Sequence, residues 1–332
     1  MDASSEPVLS LGFGRYAPSP SGILHIGNLR TALLAWAFAR SSGRGFQLRI
    51  EDLDGRSRPE FETAQLRDLE ELGIDWDGEV IRQSQRLETY ATIVEALQNV
   101  GQTFECYCSR KDLAQAASAP HTEPGFYPGT CRNINEAERD ERCQRLQGRV
   151  PAIRLKSDLT LIEFTDKNFG NHTGAVDDIV LRRGDGVYSY NFVAVVDDLL
   201  GYNSDPTQFI AQLNDSTNRR RIPSVTQIVR GNDLLASTPR QIYLQRVLGF
   251  DAPEYAHVPL VLNPDGVRLA KRDGAVTLPR LRELGVSTAD VVEMMALSLG
   301  MEPVRSASEF LGVFNPNKLN LEPWIFDSDQ FE

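Results

Sequence analysis

Two short stretches carry residue types suited to handling phosphate. In "APSPSGILHIGNLRTALLAW", Ala17 to Trp36, two prolines and two glycines crowd against a lone histidine, His25, ahead of a helical run. Leu29, Leu33, Trp36 and Ala37 recur at helical spacing, which predicts an amphipathic helix after Asn28 with one buried face. A helix start offers unpaired N–H groups and the positive end of the macrodipole, and a glycine such as Gly27, with no Cβ, lets a bulky anion approach the main chain. Read alone, the pattern also describes an ordinary strand-to-helix turn. The second stretch is "VRLAKRDGAVTL", Val267 to Leu278, where Arg268, Lys271 and Arg272 follow the turn "NPDG". Lys271 could meet phosphate there, although a solvated basic turn has the same composition.

A third cluster suits a metal. Of the four cysteines, Cys106, Cys108 and Cys131 lie close together, and four are too few for a disulfide scaffold in 332 residues. "CYC" and "YPGTC" would bring three thiolates and the Tyr127 phenol together, and thiolates suit a closed tetrahedral zinc site. His121 competes as fourth ligand, because imidazole binds zinc better than a neutral phenol. Cys143, on a charged stretch, is read as a bystander.

The elements that must position these groups follow from the pattern. A strand around Arg15 to Ala17, the helix after Asn28, a strand at "FQLRIED" and a helix from about Pro59 to Leu72 alternate, which predicts an α/β fold with a doubly wound parallel sheet. Ligands bind such sheets at the C-terminal strand ends, where Arg15 and Glu51 lie. We therefore expect residues 1–105 to form the first half of a nucleotide-binding catalytic domain and 106–150 a zinc-binding insert. Residues 151–274 are expected to form its second half, with a loop insertion at 201–224, and 275–332 a helical C-terminal region. "RRGDGVYSYNFVAVVDDLLG" predicts a hairpin turning on Gly184 to Gly186 followed by a helix, and "VTQIVRGNDLL" a strand.

Composition sets the outer bounds. No apolar run approaches the roughly 20 residues needed to span a bilayer, and the start "MDASSEPVLSLGFGRY" lacks the basic head and apolar stretch of a signal peptide, so a cytoplasmic location without membrane contact is expected. The net charge of -11 disfavours nonspecific adhesion to nucleic acid without excluding a local basic surface.

The two phosphate-handling stretches together resemble the paired signatures of class I aminoacyl-tRNA synthetases, His-Ile-Gly-His and Lys-Met-Ser-Lys-Ser, here His25-Ile26-Gly27-Asn28 and Arg268-Leu269-Ala270-Lys271-Arg272. "RYAPSPSGILHIGNLRTAL", "RIEDLD", "NFVAVVDD", "IVRGNDLLASTPRQIYLQRVLG" and "RLAKRDGA" are similar, in order, to the glutamate branch of that class across roughly residues 14 to 300. The resemblance implies that Arg15 and Arg230 hold the side-chain carboxylate of glutamate. It further implies that Glu51 with Ser19 binds the α-amino group, that Tyr190 touches the same substrate, and that His25, Gly27 and Lys271 serve ATP and its α-phosphate. An anionic amino acid needs guanidinium forks at one end and a carboxylate for its ammonium at the other. The sequence departs from the signatures at Asn28, Arg268 and Ala270, and "NRRR", Asn218 to Arg221, lies in the insertion.

The cysteine insert resembles that of the glutamyl-Q tRNA(Asp) synthetases, short relatives of the glutamate enzymes, whose Cys-x-Cys and Tyr-x-x-x-Cys pairs correspond to Cys106, Cys108, Tyr127 and Cys131. That resemblance implies structural zinc, ATP with magnesium, and transfer of activated glutamate to queuosine in the anticodon loop of tRNA(Asp). The chain stops soon after the second signature, so no anticodon-binding domain is expected, and a monomer is expected. The rival readings are a truncated glutamyl-tRNA synthetase paralogue with another acceptor, and a catalytically silent regulator that binds glutamate or nucleotide.

Overall fold

The computed structural model describes residues 11–109, 111–113, 126–146, 148–158, 160–202, 205–207, 210–211, 222–269 and 276–327. Lys271, His121 and the run 218–221 lie outside them.

The chain opens with β1 (Phe13–Tyr16), α1 (Ile26–Ser41), β2 (Gly45–Ile50), α2 (Pro59–Leu72), β3 (Ile81–Arg82) and α3 (Leu87–Asn99). β4 (Thr103–Cys106) leads into α4 (Glu136–Gln144), β5 (Ala152–Leu155), the hairpin β6 (Thr160–Asp166) and β7 (Gly170–Val176), β8 (Ile179–Arg182) and α5 (Tyr190–Leu200). β9 (Gln227–Gly231), α6 (Thr238–Val247), β10 (Glu254–Val258) and β11 (Val261–Leu262) follow. Then come α7 (Leu278–Glu283), α8 (Thr288–Ser298), α9 (Ala307–Val313) and β12 (Trp324–Ile325).

β1, β2 and β3 pair in parallel, as do β9 and β10. The two groups meet where Phe13 donates its N–H to the Ser224 carbonyl at 3.0 Å and accepts from Thr226 N–H at 2.8 Å. The resulting order β3-β2-β1-β9-β10 winds outward in both directions from the β1/β9 junction. The loops leaving β1 and β9 part there, which opens a crevice at the C-terminal strand ends. Helices cover both faces, and the strands themselves record this. Ile228 and Tyr255 belong to a core with α3, α5 and α6, whereas their neighbours Val229 and Ala256 belong to a core with α1, α8 and α9. β4, β5 and β8 form a separate antiparallel sheet beside the cysteine cluster.

Two local expectations are corrected. The first helix starts at Ile26, before Asn28, because His25 is its N-cap: the His25 Nδ1 accepts the N–H of Gly27 (3.1 Å) and of Asn28 (3.3 Å), while Asn28 Oδ1 accepts from His25 N–H. Nor is α1 buried on one face alone. Every residue from Ala32 to Ala39 is buried, since the helix packs on β1 and β9 and is itself covered by α9. The predicted turn is present, with Gly186 in the left-handed region (φ 86°) and its N–H on the Arg183 carbonyl, and α5 follows it.

A buried ionic network ties these elements together. Asp197 of α5, fully enclosed, accepts from Arg86 (3.1 Å), Gln83 (2.9 Å) and the Tyr90 hydroxyl (2.9 Å), and Arg49 of β2 stands 3.8 Å away. Replacing Asp197 by alanine would leave Arg86 buried without its counter-charge, and the expected loss is about 3–5 kcal/mol of folding stability by urea unfolding. A loss below about 1 kcal/mol, the range of surface pairs, would contradict this role.

Candidate active site

A cleft of about 710 Å³ occupies the crevice between β1 and β9. Arg15, Ser19, His25, Gly27, Glu51, Tyr190 and Arg230 all line it, so every substrate-site residue expected from sequence within the described residues meets in one place. Lys271 lies outside the described residues, but the flanks of its loop border the site. Leu269 lines the cleft wall, Val276 accepts the Ile26 N–H at 2.9 Å, and Thr277 pairs with His25 as an antiparallel bridge. The described residues before and after 270–275 thus border the cleft and the first signature.

Charge beneath the cleft is distributed unevenly. Arg49 donates to Asp198 at 2.6 Å and to Glu51 at 3.0 Å, so its guanidinium is matched. Arg15 shares Asp198 at 3.3 Å and donates to the Val229 carbonyl at 3.3 Å, which uses two of its five N–H groups. Arg230 differs. It donates to His257 Nε2 (3.1 Å), Gln241 Oε1 (2.7 Å) and Thr238 Oγ1 (2.9 Å), and among the described residues it makes no ion pair. Among the described residues, a 5% exposed cation is therefore held by neutral acceptors alone, which take one N–H of each terminal nitrogen. A carboxylate could bridge that fork.

The acidic groups divide in the same sense. Despite burial, the Arg49 and Arg15 guanidiniums hold the Asp198 carboxyl below its ordinary range. Burial raises the Glu51 carboxyl above its ordinary range, against the pull of Arg49. An arriving ammonium would favour its ionised form.

At the other end of the cleft, the two hydrogen bonds accepted by His25 Nδ1 place the proton of the neutral ring on Nε2. Gly27 is closely surrounded: a Cβ there would come within 3.0 Å of His25 Cε1 and 3.3 Å of Val261 Cβ, so His25 or Val261 would have to give way to a side chain. The α1 terminus therefore brings the positive end of its dipole to the cleft with no acidic side chain in its first turn, while the unpaired N–H groups expected there are in fact engaged: Ile26 N–H by the Val276 carbonyl, Gly27 and Asn28 N–H by His25 Nδ1.

The cysteine cluster lies apart from this cleft. The sulfur atoms of Cys106, Cys108 and Cys131 lie within 4.8 Å of one another, with Cys108 and Cys131 separated by 3.6 Å. The Tyr127 hydroxyl is 3.5 Å from the Cys106 sulfur and accepts the Cys131 N–H at 2.8 Å. Tetrahedral Zn–S bonds of about 2.3 Å require sulfurs roughly 3.8 Å apart, so the donor set is compatible with zinc. Hydrogen bonds from Cys106 and Cys108 push the Cys131 thiol well below its ordinary range, and the Tyr107 N–H and Arg142 also reach its sulfur. Cys143 is exposed on α4, away from the cluster.

Sequence reasoning gave no role to Arg49, Asp198, His257, Thr238, Gln241 or Asp166. The available signal was charge inside apolar runs: "GFQLRI" forms a strand with six buried residues, and "FVAVVDDLL" lies in a buried helix. An arginine or paired aspartates in such segments must find each other.

The comparisons agree with this geometry. The chain matches the family described as "tRNA synthetases class I (E and Q), catalytic domain" over residues 13–204 and 219–331, and it belongs to that family. The unmatched residues 205–218 fall inside the stretch read as an insertion. It is 52% identical over 314 residues to the glutamyl-Q tRNA(Asp) synthetase of Nocardia farcinica, covering 95% of this chain and 93% of that protein. It is 43% identical to the protein of the same name from Symbiobacterium thermophilum, covering 93% and 94%. The glutamate–tRNA ligase 1 of Helicobacter hepaticus is 36% identical, and the matched region covers 64% of it. Among solved structures, a glutamate tRNA ligase from Elizabethkingia meningosepticum in complex with its amino acid superposes with a TM-score of 0.73 at 25% identity, over 97% of this chain and 68% of that one. The chain is a ligase of the aminoacyl-tRNA synthetase type, similar along its length to the glutamyl-Q tRNA(Asp) synthetases. No helix among its described residues is long and apolar enough to cross a membrane.

Proposed function

We propose that the protein activates glutamate with ATP and transfers the glutamyl group to queuosine in the anticodon loop of tRNA(Asp). One observation carries the reading: Arg230, a buried cation whose partners among the described residues are all neutral, lines the same cleft as Glu51. Arg15 and Arg230 hold the side-chain carboxylate of glutamate, Glu51 and Ser19 hold its ammonium, and Tyr190 closes on the same substrate. That arrangement directs the α-carboxylate toward the α1 terminus. There ATP lies against Gly27, which has no side chain to obstruct it, and beside His25, with magnesium accompanying the nucleotide. The α-carboxylate oxygen attacks the α-phosphorus and pyrophosphate departs, while Lys271 from the second signature loop stabilises the charge that develops. Glutamyl-adenylate then gives its acyl group to queuosine and releases AMP. The names of the relatives matched along nearly their whole length support this acceptor.

Cys106, Cys108, Cys131 and Tyr127 would hold a structural zinc, which would keep the insert folded and supply no chemistry to the cleft. Protein purified without added metal is expected to contain about one zinc per chain, and Cys108→Ser to lose most of it. A folded, active, metal-free preparation would contradict the assignment.

The acceptor is tested by incubating labelled glutamate and ATP with tRNA(Asp) carrying queuosine and with the same tRNA lacking it. Label is expected only on the queuosine form. Equal labelling of both, or labelling at the 3′ end, would overturn the acceptor while leaving activation intact.

A further inference from the structure

Arg230 is held by a second buried relay. Its Nε–H points at His257 Nε2 at 3.1 Å, so that nitrogen must carry a lone pair. The proton of the neutral ring then lies on Nδ1, which faces Asp166 Oδ2 at 2.6 Å. Asp166 is fixed in turn: Oδ1 accepts the N–H groups of Asn168 and Phe169, both at 3.0 Å, and Oδ2 accepts the His257 N–H at 3.0 Å. His257 and Asp166 are 0% and 1% exposed, and the two strands that carry them pair beside them at Tyr255 and Asp166. Burial lowers the pKa of His257 despite Asp166, which keeps the ring neutral. A protonated ring would set an N–H donor and a second positive charge against the Arg230 Nε–H.

We propose that His257 and Asp166 are positioning residues that set substrate specificity by fixing the rotation of the Arg230 guanidinium. Asp166 selects the Nδ1–H tautomer, and that tautomer presents the acceptor which Arg230 needs. The negative charge that balances Arg230 is thereby kept one side chain away. It stabilises the cation without occupying its fork, and the fork stays open for a carboxylate. Gln241 and Thr238 complete the setting on the terminal nitrogens. This inference rests on the reading of Arg230 as a holder of the glutamate side chain.

The test is glutamate-dependent pyrophosphate exchange with the full chain. His257→Phe removes the acceptor and is expected to raise the KM for glutamate about tenfold or more, with the KM for ATP and kcat changed less than about twofold. His257→Gln restores an acceptor and should recover most of the loss. Arg230→Ala gives the reference: in its background, His257→Phe should add almost nothing. An equal rise in KM with and without Arg230 would overturn the relay, as would equal loss in the Phe and Gln variants. If Arg230→Ala leaves the glutamate KM unchanged, the site reading fails and the relay falls with it. Thermal melts of each variant identify a misfolded Phe protein, and the Gln variant then carries the comparison.

Discussion

Everything at the β1/β9 junction depends on the ion pair between Arg49 and Asp198. Both side chains are almost wholly enclosed, and one contact at 2.6 Å joins β2 to α5 beneath the cleft floor. The desolvation of such a pair is offset only when geometry and further hydrogen bonds are good. Here Arg49 also reaches Glu51, and Asp198 also receives Arg15. The pair therefore sets where Glu51 and Arg15 can lie. Packing of β1, β2 and α5 and the placement of two groups that line the cleft are one constraint.

The same economy of charge distinguishes the three arginines. Arg49 is matched by carboxylates and is structural. Arg15 is partly matched, and Arg230 is held by an imidazole, an amide and a hydroxyl. A directly paired Arg230 would have no reason to attract a ligand carboxylate, and an unsupported one would neither stay buried nor keep its orientation. Neutral acceptors solve both problems, because they fix direction without cancelling charge. At the far end of the cleft, the His25 cap fixes the start of α1 by a related device.

Much of this was legible in the sequence because chemistry and backbone coincide at the signatures. His25, Gly27, Arg15 and Glu51 sit at strand ends or helix starts, where turn residues mark them. The alternation of strand and helix gave the doubly wound sheet, and the spacing of Cys106, Cys108 and Cys131 foretold a cluster. Burial was harder to read. The apolar periodicity of α1 suggested one hidden face, yet small residues such as Ala32, Ala35 and Ala37 let neighbours approach from other sides as well. Pairings across the chain were invisible: nothing local to "YAHV" tells that His257 faces Asp166, ninety-one residues earlier. Such contacts arise from strand order, which a linear pattern does not specify.

The central claim is that the cleft carries guanidinium charge kept open for a side-chain carboxylate. Calorimetric titration of the unaltered protein with glutamate and with glutamine tests it most directly. Replacing one carboxylate oxygen by an amide sets N–H donors against N–H donors, so glutamine is expected to bind at least about a hundredfold more weakly. Equal affinity for the two amino acids would contradict the account and leave Arg15 and Arg230 to serve another ligand.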